Sequence, residues 1–263
     1  MQTPSLRRFL SETGKIVHHL NTIAVGLATV ESGAATKPSG LDVRWSPANI
    51  GASSRQARAF AVRASIVFVA EVLGAYVGEL IGSPAGKGSS VAKERDSKLK
   101  DLNDWFTLPR DHVFLGATLL VHWRNRIVHR RSNAALTAAQ RSELIAASAD
   151  LASQYKNLDP IKLLRDFQEN TPTLKDVSSL IAMTITLARR IEKRIPEPAN
   201  DGEVQAWLAH FKLTEDLDRV RRVATGKGKL REGVSAFLRT YFPDIEPAYM
   251  AHSLRQETLP ANQ

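Results

Sequence analysis

Apolar residues in this chain recur at helical spacing, and they nowhere alternate with polar ones for more than a few residues. That property disfavours a sheet-based core. A half-buried strand needs alternation of period two, whereas an amphipathic helix needs apolar positions at i, i+3 and i+4. The expected fold class is all-α. Four long segments carry the pattern. The first, Ser5 to Val30, places Leu6, Leu10, Ile16, Leu20, Ile23 and Leu27 on one side. The second, Ser54 to Ile81, opens on serines suited to N-capping. It runs through Phe60, Ile66, Val69, Leu73, Tyr76 and Leu80, and is expected to be buried on most sides, with Arg63 and Glu71 as interrupting charges. The third follows Pro109, a residue suited to a first helical turn, and contains the apolar run Val113 to Val121. The fourth, Leu174 to Ile195, ends in Arg189, Arg190, Lys193 and Arg194, which complement the helix dipole. Pro196-Glu197-Pro198 then stops it.

Between these segments the chain reads as connection. Glu31 to Ser53 is a loop whose Trp45 and Pro47 are expected to tuck onto the core. Val91 to Leu102 is highly charged and reads as solvated, and Asp104 to Leu108 reads as a short turn. Thr137 to Tyr155 reads as one alanine-rich helix, and Pro160 to Phe167 as a short one. Asp201 to Phe242 reads as a small helical appendage with a basic tract of Arg219, Arg221, Arg222, Lys227, Lys229 and Arg231, and the tail after Pro247 as loosely ordered. The expected division is therefore a helical bundle over 1–196, with 132–172 inserted before its closing helix, and an accessory region over 197–263.

The net charge of +9 favours a polyanionic partner, nucleic acid ahead of anionic lipid. The absence of cysteine excludes disulfides and thiolate metal sites and fits a reducing, cytoplasmic setting. Arg7-Arg8 before Ile16 to Val30 imitates a signal peptide, but His18, His19 and Asn21 break the apolar run, so an amphipathic helix is expected. No stretch is uninterrupted enough to be read as a membrane span. Gly82 to Ser89 looks like a phosphate loop only superficially, lacking its glycine spacing and a preceding strand.

The third segment closes on Trp123-Arg124-Asn125-Arg126-Ile127-Val128-His129-Arg130, polar groups where a packed helix should carry leucines. On a continuous helix Asn125 and His129 share a face, and His122 lies two turns below His129, nearly in register. Arg124 and His129 would then be spread over about 140°. The chemistry on offer is specific. An imidazole of ordinary pKa ~6.5 can act as acid or base. A guanidinium can clamp a phosphate, and an amide can orient either group. With no carboxylate cluster and no His-x-x-x-His, metal-assisted hydrolysis is not expected, nor is a cofactor. The set suits transesterification of RNA by its own 2′-hydroxyl. The same residues also admit a purely structural reading, in which Arg124 pairs with Glu71 and His129 sits at a helix end.

Arg124-Asn125-x-x-x-His129 at the end of a long helix in an all-α chain resembles the R-x(4–6)-H signature of the HEPN superfamily. The resemblance covers roughly residues 1–196. It implies an up-and-down helical bundle and a metal-independent endoribonuclease, of the kind found in toxin–antitoxin and antiphage defence systems. Carried over by position, it implies that Arg124 stabilises the scissile phosphate, that His129 is the acid/base group and that Asn125 orients. Glu71 loosely resembles an acidic residue that some members keep on an earlier helix. His122 is a supporting candidate from helical phase alone, and Arg126, Arg130 and Arg131 are candidate RNA contacts. Members act as dimers of motif-bearing helices, so the expected partners are RNA, a second copy, and an antitoxin or other defence protein. One toxin branch has a modified tyrosine two positions after its histidine; Arg131 stands there instead. The alternative expectation is a non-catalytic, HEPN-like module that binds RNA or protein.

Overall fold

The computed structural model describes residues 2–35, 37–86, 94–129, 131–224 and 227–242. Among them are helices and no strands: α1 (Pro4–Glu31), α2 (Ile50–Ile81), α3 (Arg95–Trp105), α4 (His112–Val128), α5 (Ala138–Ala146), α6 (Ser148–Gln154), α7 (Pro160–Glu169), α8 (Leu174–Glu192), α9 (Asp201–His210), α10 (Thr214–Val223) and α11 (Lys227–Tyr241). The all-α expectation holds.

Local chemistry explains where most helices begin. Thr3 Oγ1 accepts from the Leu6 amide, with Pro4 at the first helical position, which lacks a donor that would otherwise go unpaired. Asp111 accepts from the amides of Val113 and Phe114 and starts α4. Thr137 and Gln140 form a reciprocal capping box before α5. Asp159 caps α7, again with proline next. Two expected boundaries shift for the same reason, and a third helix is divided. Asn49 accepts from the Ala52 amide, so α2 begins at Ile50 and Ser54 is buried inside the helix. Asp111, rather than Pro109, sets the start of α4. The alanine-rich stretch divides at Ala147 into α5 and α6.

The chain forms two compact units. One comprises residues 10–74 and 109–187; the other comprises 1–9, 75–108 and 188–263. Three of the four seams fall inside α1, α2 and α8 and the fourth falls between Leu108 and Pro109; none coincides with the linker at Pro196.

The first unit is built on α4, whose residues Val113 to Trp123 are all buried. It packs with Ile66, Val69 and Leu73 of α2, Leu163 and Phe167 of α7, and Val177, Leu180 and Leu187 of α8 in the core. At Gly116 the approach is close: a Cβ there would lie 3.1 Å from Met183 Cβ, so a larger residue would force the Met183 side chain to move and α8 to give slightly. The expectation that α2 is buried on most sides is corrected. Phe60 is 75% exposed and Phe68 is 59% exposed, and both line an apolar groove with Ile23 of α1. With Ala64 between them they form a stripe spaced every four residues, away from the core face carrying Ile66, Val69 and Leu73. Trp45 is likewise partly exposed rather than on the core, while Pro47 is half-buried. By length and composition α2 is also apolar enough to cross a membrane, a test that a soluble core helix passes as well.

In the second unit the charged stretch expected to be solvated forms α3, which buries Leu99, Leu102 and Asn103 while Lys100 and Asp104 are exposed. In the basic tract, Arg219 pairs with Asp216 and Arg221 with Asp218, each three residues away on α10. Gly226, the side chain of Lys227, residues 87–89 of the loop that looks like a phosphate loop, and the tail after Pro247 lie outside the described residues. Glu192 of α8 is buried and accepts from the Thr3 amide and hydroxyl, 2.7 Å each, and from the Tyr76 hydroxyl at 3.2 Å.

Burial pushes the Glu192 carboxyl above its ordinary value of 4.5, against the hydrogen bonds from Thr3 and Tyr76. The folded chain thus holds this proton more tightly than the unfolded one. Stability from this group is fully present below the unfolded pKa and is lost as pH rises from there through the folded value. Thermal melts of wild type and Glu192→Gln across this range should therefore diverge, wild type losing stability relative to the variant as pH rises. A difference that does not change with pH would refute the assignment.

Candidate active site

The last turn of α4 is held from below by Trp123. Its ring is fully buried, meets Phe167 edge-on at 5.5 Å, and its Nε1 donates to Asn170 Oδ1 at 3.1 Å. Asn170 ends α7 in the left-handed region at φ 56°, a conformation that asparagine tolerates well. Its carbonyl also accepts from Arg63 Nη2 at 2.7 Å, which answers for one of the two interrupting charges of α2.

The other charge, Glu71, answers Arg124. Arg124 Nε and Nη2 both donate to Glu71 Oε1, at 2.9 and 2.7 Å. The arginine side chain is only 15% exposed and the glutamate 40%. A guanidinium that enclosed needs a partner, and the two bonds fix its plane. Nη1 then points at two further groups, Asn125 Oδ1 and His129 Nε2, each at 3.2 Å. Because a guanidinium can only donate, Nε2 is the acceptor and the imidazole proton sits on Nδ1. Of the five N–H donors of an arginine, four are engaged in this way, leaving one on Nη2.

The helix-phase expectation for His129 is overturned by the local backbone. The helix ends at Val128, and His129 is its C-cap, extended at φ −112° and ψ 101°, its amide still bonded to Asn125 O at 2.8 Å. Leaving the helix swings the imidazole back to Arg124, so the five-residue spacing does not keep the two apart. A single chain thus brings together Arg124, Asn125, His129 and Glu71, and the separation of about 140° no longer argues for a second copy.

His122 is not brought in. It stays buried in the body of α4, and the register that related it to His129 lapses once His129 is no longer helical. Arg126 is committed to the scaffold: Nη1 donates to Phe167 O at 2.8 Å, and the guanidinium stacks on the Phe167 ring at 4.6 Å. Arg131 is exposed, and Arg130 lies outside the described residues. Arg63 stood out in the sequence as an interrupting charge of α2, whereas the role of Asn170 did not. Asn170 before Thr171-Pro172 does signal a helix end, but nothing local links it to Trp123, 47 residues earlier.

The cluster offers an imidazole base, a cation preset by a carboxylate, and an amide that holds the cation. It is open on the His129 side, where that residue is exposed. Among the described residues no group of three His, Cys, Asp or Glu side chains is placed to hold a metal ion. Comparison with known proteins finds no family model, curated protein or solved structure that matches the chain.

Proposed function

We propose that the chain is a metal-independent endoribonuclease of the HEPN type, acting in toxin–antitoxin or antiphage defence. The observation that carries this reading is the single guanidinium nitrogen, Arg124 Nη1, that reaches both Asn125 and His129 while Glu71 holds the rest of the group. In the proposed reaction the substrate phosphate takes Arg124 Nη1 from His129, and the freed Nε2 removes the proton of a 2′-hydroxyl. The 2′-oxygen then bonds to the adjacent phosphorus, the bond to the 5′-oxygen breaks, and that oxygen leaves carrying a proton. Arg124 stabilises the charge that builds on the phosphoryl oxygens. The products are a 2′,3′-cyclic phosphate and a 5′-hydroxyl. A homodimer remains part of the proposal, because the second copy's His129 could supply the proton to the leaving oxygen.

The test is incubation of the full chain with RNA in EDTA, followed by end-mapping. Wild type should produce cyclic phosphate ends, and His129→Ala should cleave about 10²–10⁴-fold more slowly with an unchanged helical circular dichroism spectrum. Equal cleavage by the variant would sink the reading. The second reading, a non-catalytic HEPN-like module for RNA or a partner protein, draws on the Glu71 pair, which already neutralises Arg124. Salt-sensitive RNA binding without any cleavage by wild type would select it.

A further inference from the structure

On the other side of α4 lies a cavity that the reaction does not use. It has a volume of about 530 Å³ and is walled by α4, α5, α7 and the segment before α5. Its floor is apolar, with Leu119, Leu136 and Phe167 all buried. Arg126, Arg141 and Arg165 stand around it with the Gln168 amide. Arg124 and Arg126 are two residues apart on one helix, hence about 200° apart, so this cavity is distinct from the cluster.

Two of the guanidiniums are preset by the backbone. Arg126 Nη1 is tied to Phe167 O, and Arg141 Nη1 donates to Leu136 O at 2.9 Å. Neither has a carboxylate partner among the described residues, so neither charge is neutralised there. Arg165 does have a carboxylate nearby, Asp166, which bonds Lys162 and lies 3.8 Å from Arg165 Nε. One face of the Arg126 guanidinium is covered by the Phe167 ring, leaving the opposite face for a flat partner. Backbone-held cations over an apolar floor select a ligand that joins an anion to a flat, largely apolar body. Bases stack on arginine planes, and phosphates pair with arginine forks.

We infer that this cavity is a nucleotide-binding site, taking one nucleoside monophosphate unit with its base on Arg126 and its phosphate on Arg141 and Arg165. The unit is either a free nucleotide or one residue of an RNA strand. The site is tied to the cluster by sequence, because the segment that leaves α4 at His129 reaches the cavity wall at Ala135 and Leu136.

The test is made in the His129→Ala chain, which cannot process the ligand if the catalytic reading is right and is unaffected by the change if it is wrong. Calorimetry with adenosine 5′-monophosphate, adenosine alone and inorganic phosphate should show the mononucleotide binding more tightly than either part. Arg141→Gln and Arg165→Gln change exposed side chains, so the fold is expected to survive; each should weaken the mononucleotide about tenfold, while Arg124→Ala should not. A hexaribonucleotide that binds more tightly than the mononucleotide, and loses affinity with the same two variants, assigns the site to an RNA strand; the reverse order assigns it to a free nucleotide. No mononucleotide binding, or binding indifferent to Arg141 and Arg165, overturns the inference. The cleavage test stands apart from this outcome, since it reads the Arg124 cluster, on a different face of α4 from the cavity.

Discussion

Arg124→Ala is expected to lower RNA cleavage by about 10²–10³-fold, the size of effect seen when a preorganised donor to a developing oxyanion is removed. Arg124 is where the cluster converges: Glu71, Asn125 and His129 all bond it, within 2.7 to 3.2 Å. Removing it deletes the phosphate clamp and also the group that holds the imidazole. Arg124→Lys should recover little of the loss, since an ammonium is a point charge and cannot address a carboxylate, an amide and an imidazole in one plane. Glu71 is a positioning residue, and Glu71→Gln should separate its role from simple support of the fold. If the carboxylate only orients Arg124, the amide should lower kcat with little change in KM and an unchanged melting temperature. If it instead neutralises a cation that binds RNA, the variant should bind RNA more tightly with cleavage no faster. Full activity in Arg124→Ala would end the catalytic assignment.

The second large effect is on stability. Trp123→Ala should cost about 3–5 kcal/mol, the range for truncating a large buried aromatic side chain. Its ring is fully buried against Phe167. Its loss would leave Asn170 Oδ1 without the indole donor and the last turn of α4 without a floor. Asn170→Ala keeps the ring but orphans its buried N–H, and should cost about 1–3 kcal/mol. Urea unfolding of both variants checks the order. A Trp123→Ala loss below that of Asn170→Ala would mean that the ring contributes less than its burial implies. Trp123→Phe sits between them, retaining most apolar area while dropping the hydrogen bond.

Which residues form helices was largely legible from the chain. The 3.6-residue spacing is a local property, and so are Pro160 at a first turn and the Thr137–Gln140 capping box. The charged run before Trp105 was misread because charge density hid the three-residue spacing of Leu99 and Leu102, the face that α3 buries. Phe60 was misread in the opposite sense, since hydrophobicity alone does not say which side of a long apolar helix meets the core.

The identity of the candidate site was written in six consecutive residues, and its geometry was not. Arg124, Asn125 and His129 are found by spacing, because a motif is a pattern along the chain. That Glu71 sets the guanidinium from 53 residues away, that His129 turns out of the helix to meet it, and that Arg126 stacks on Phe167 are settled by tertiary packing. An enclosed cation must be neutralised and a helix must end somewhere, but burial and backbone direction, which only the folded chain possesses, choose the partner and the place.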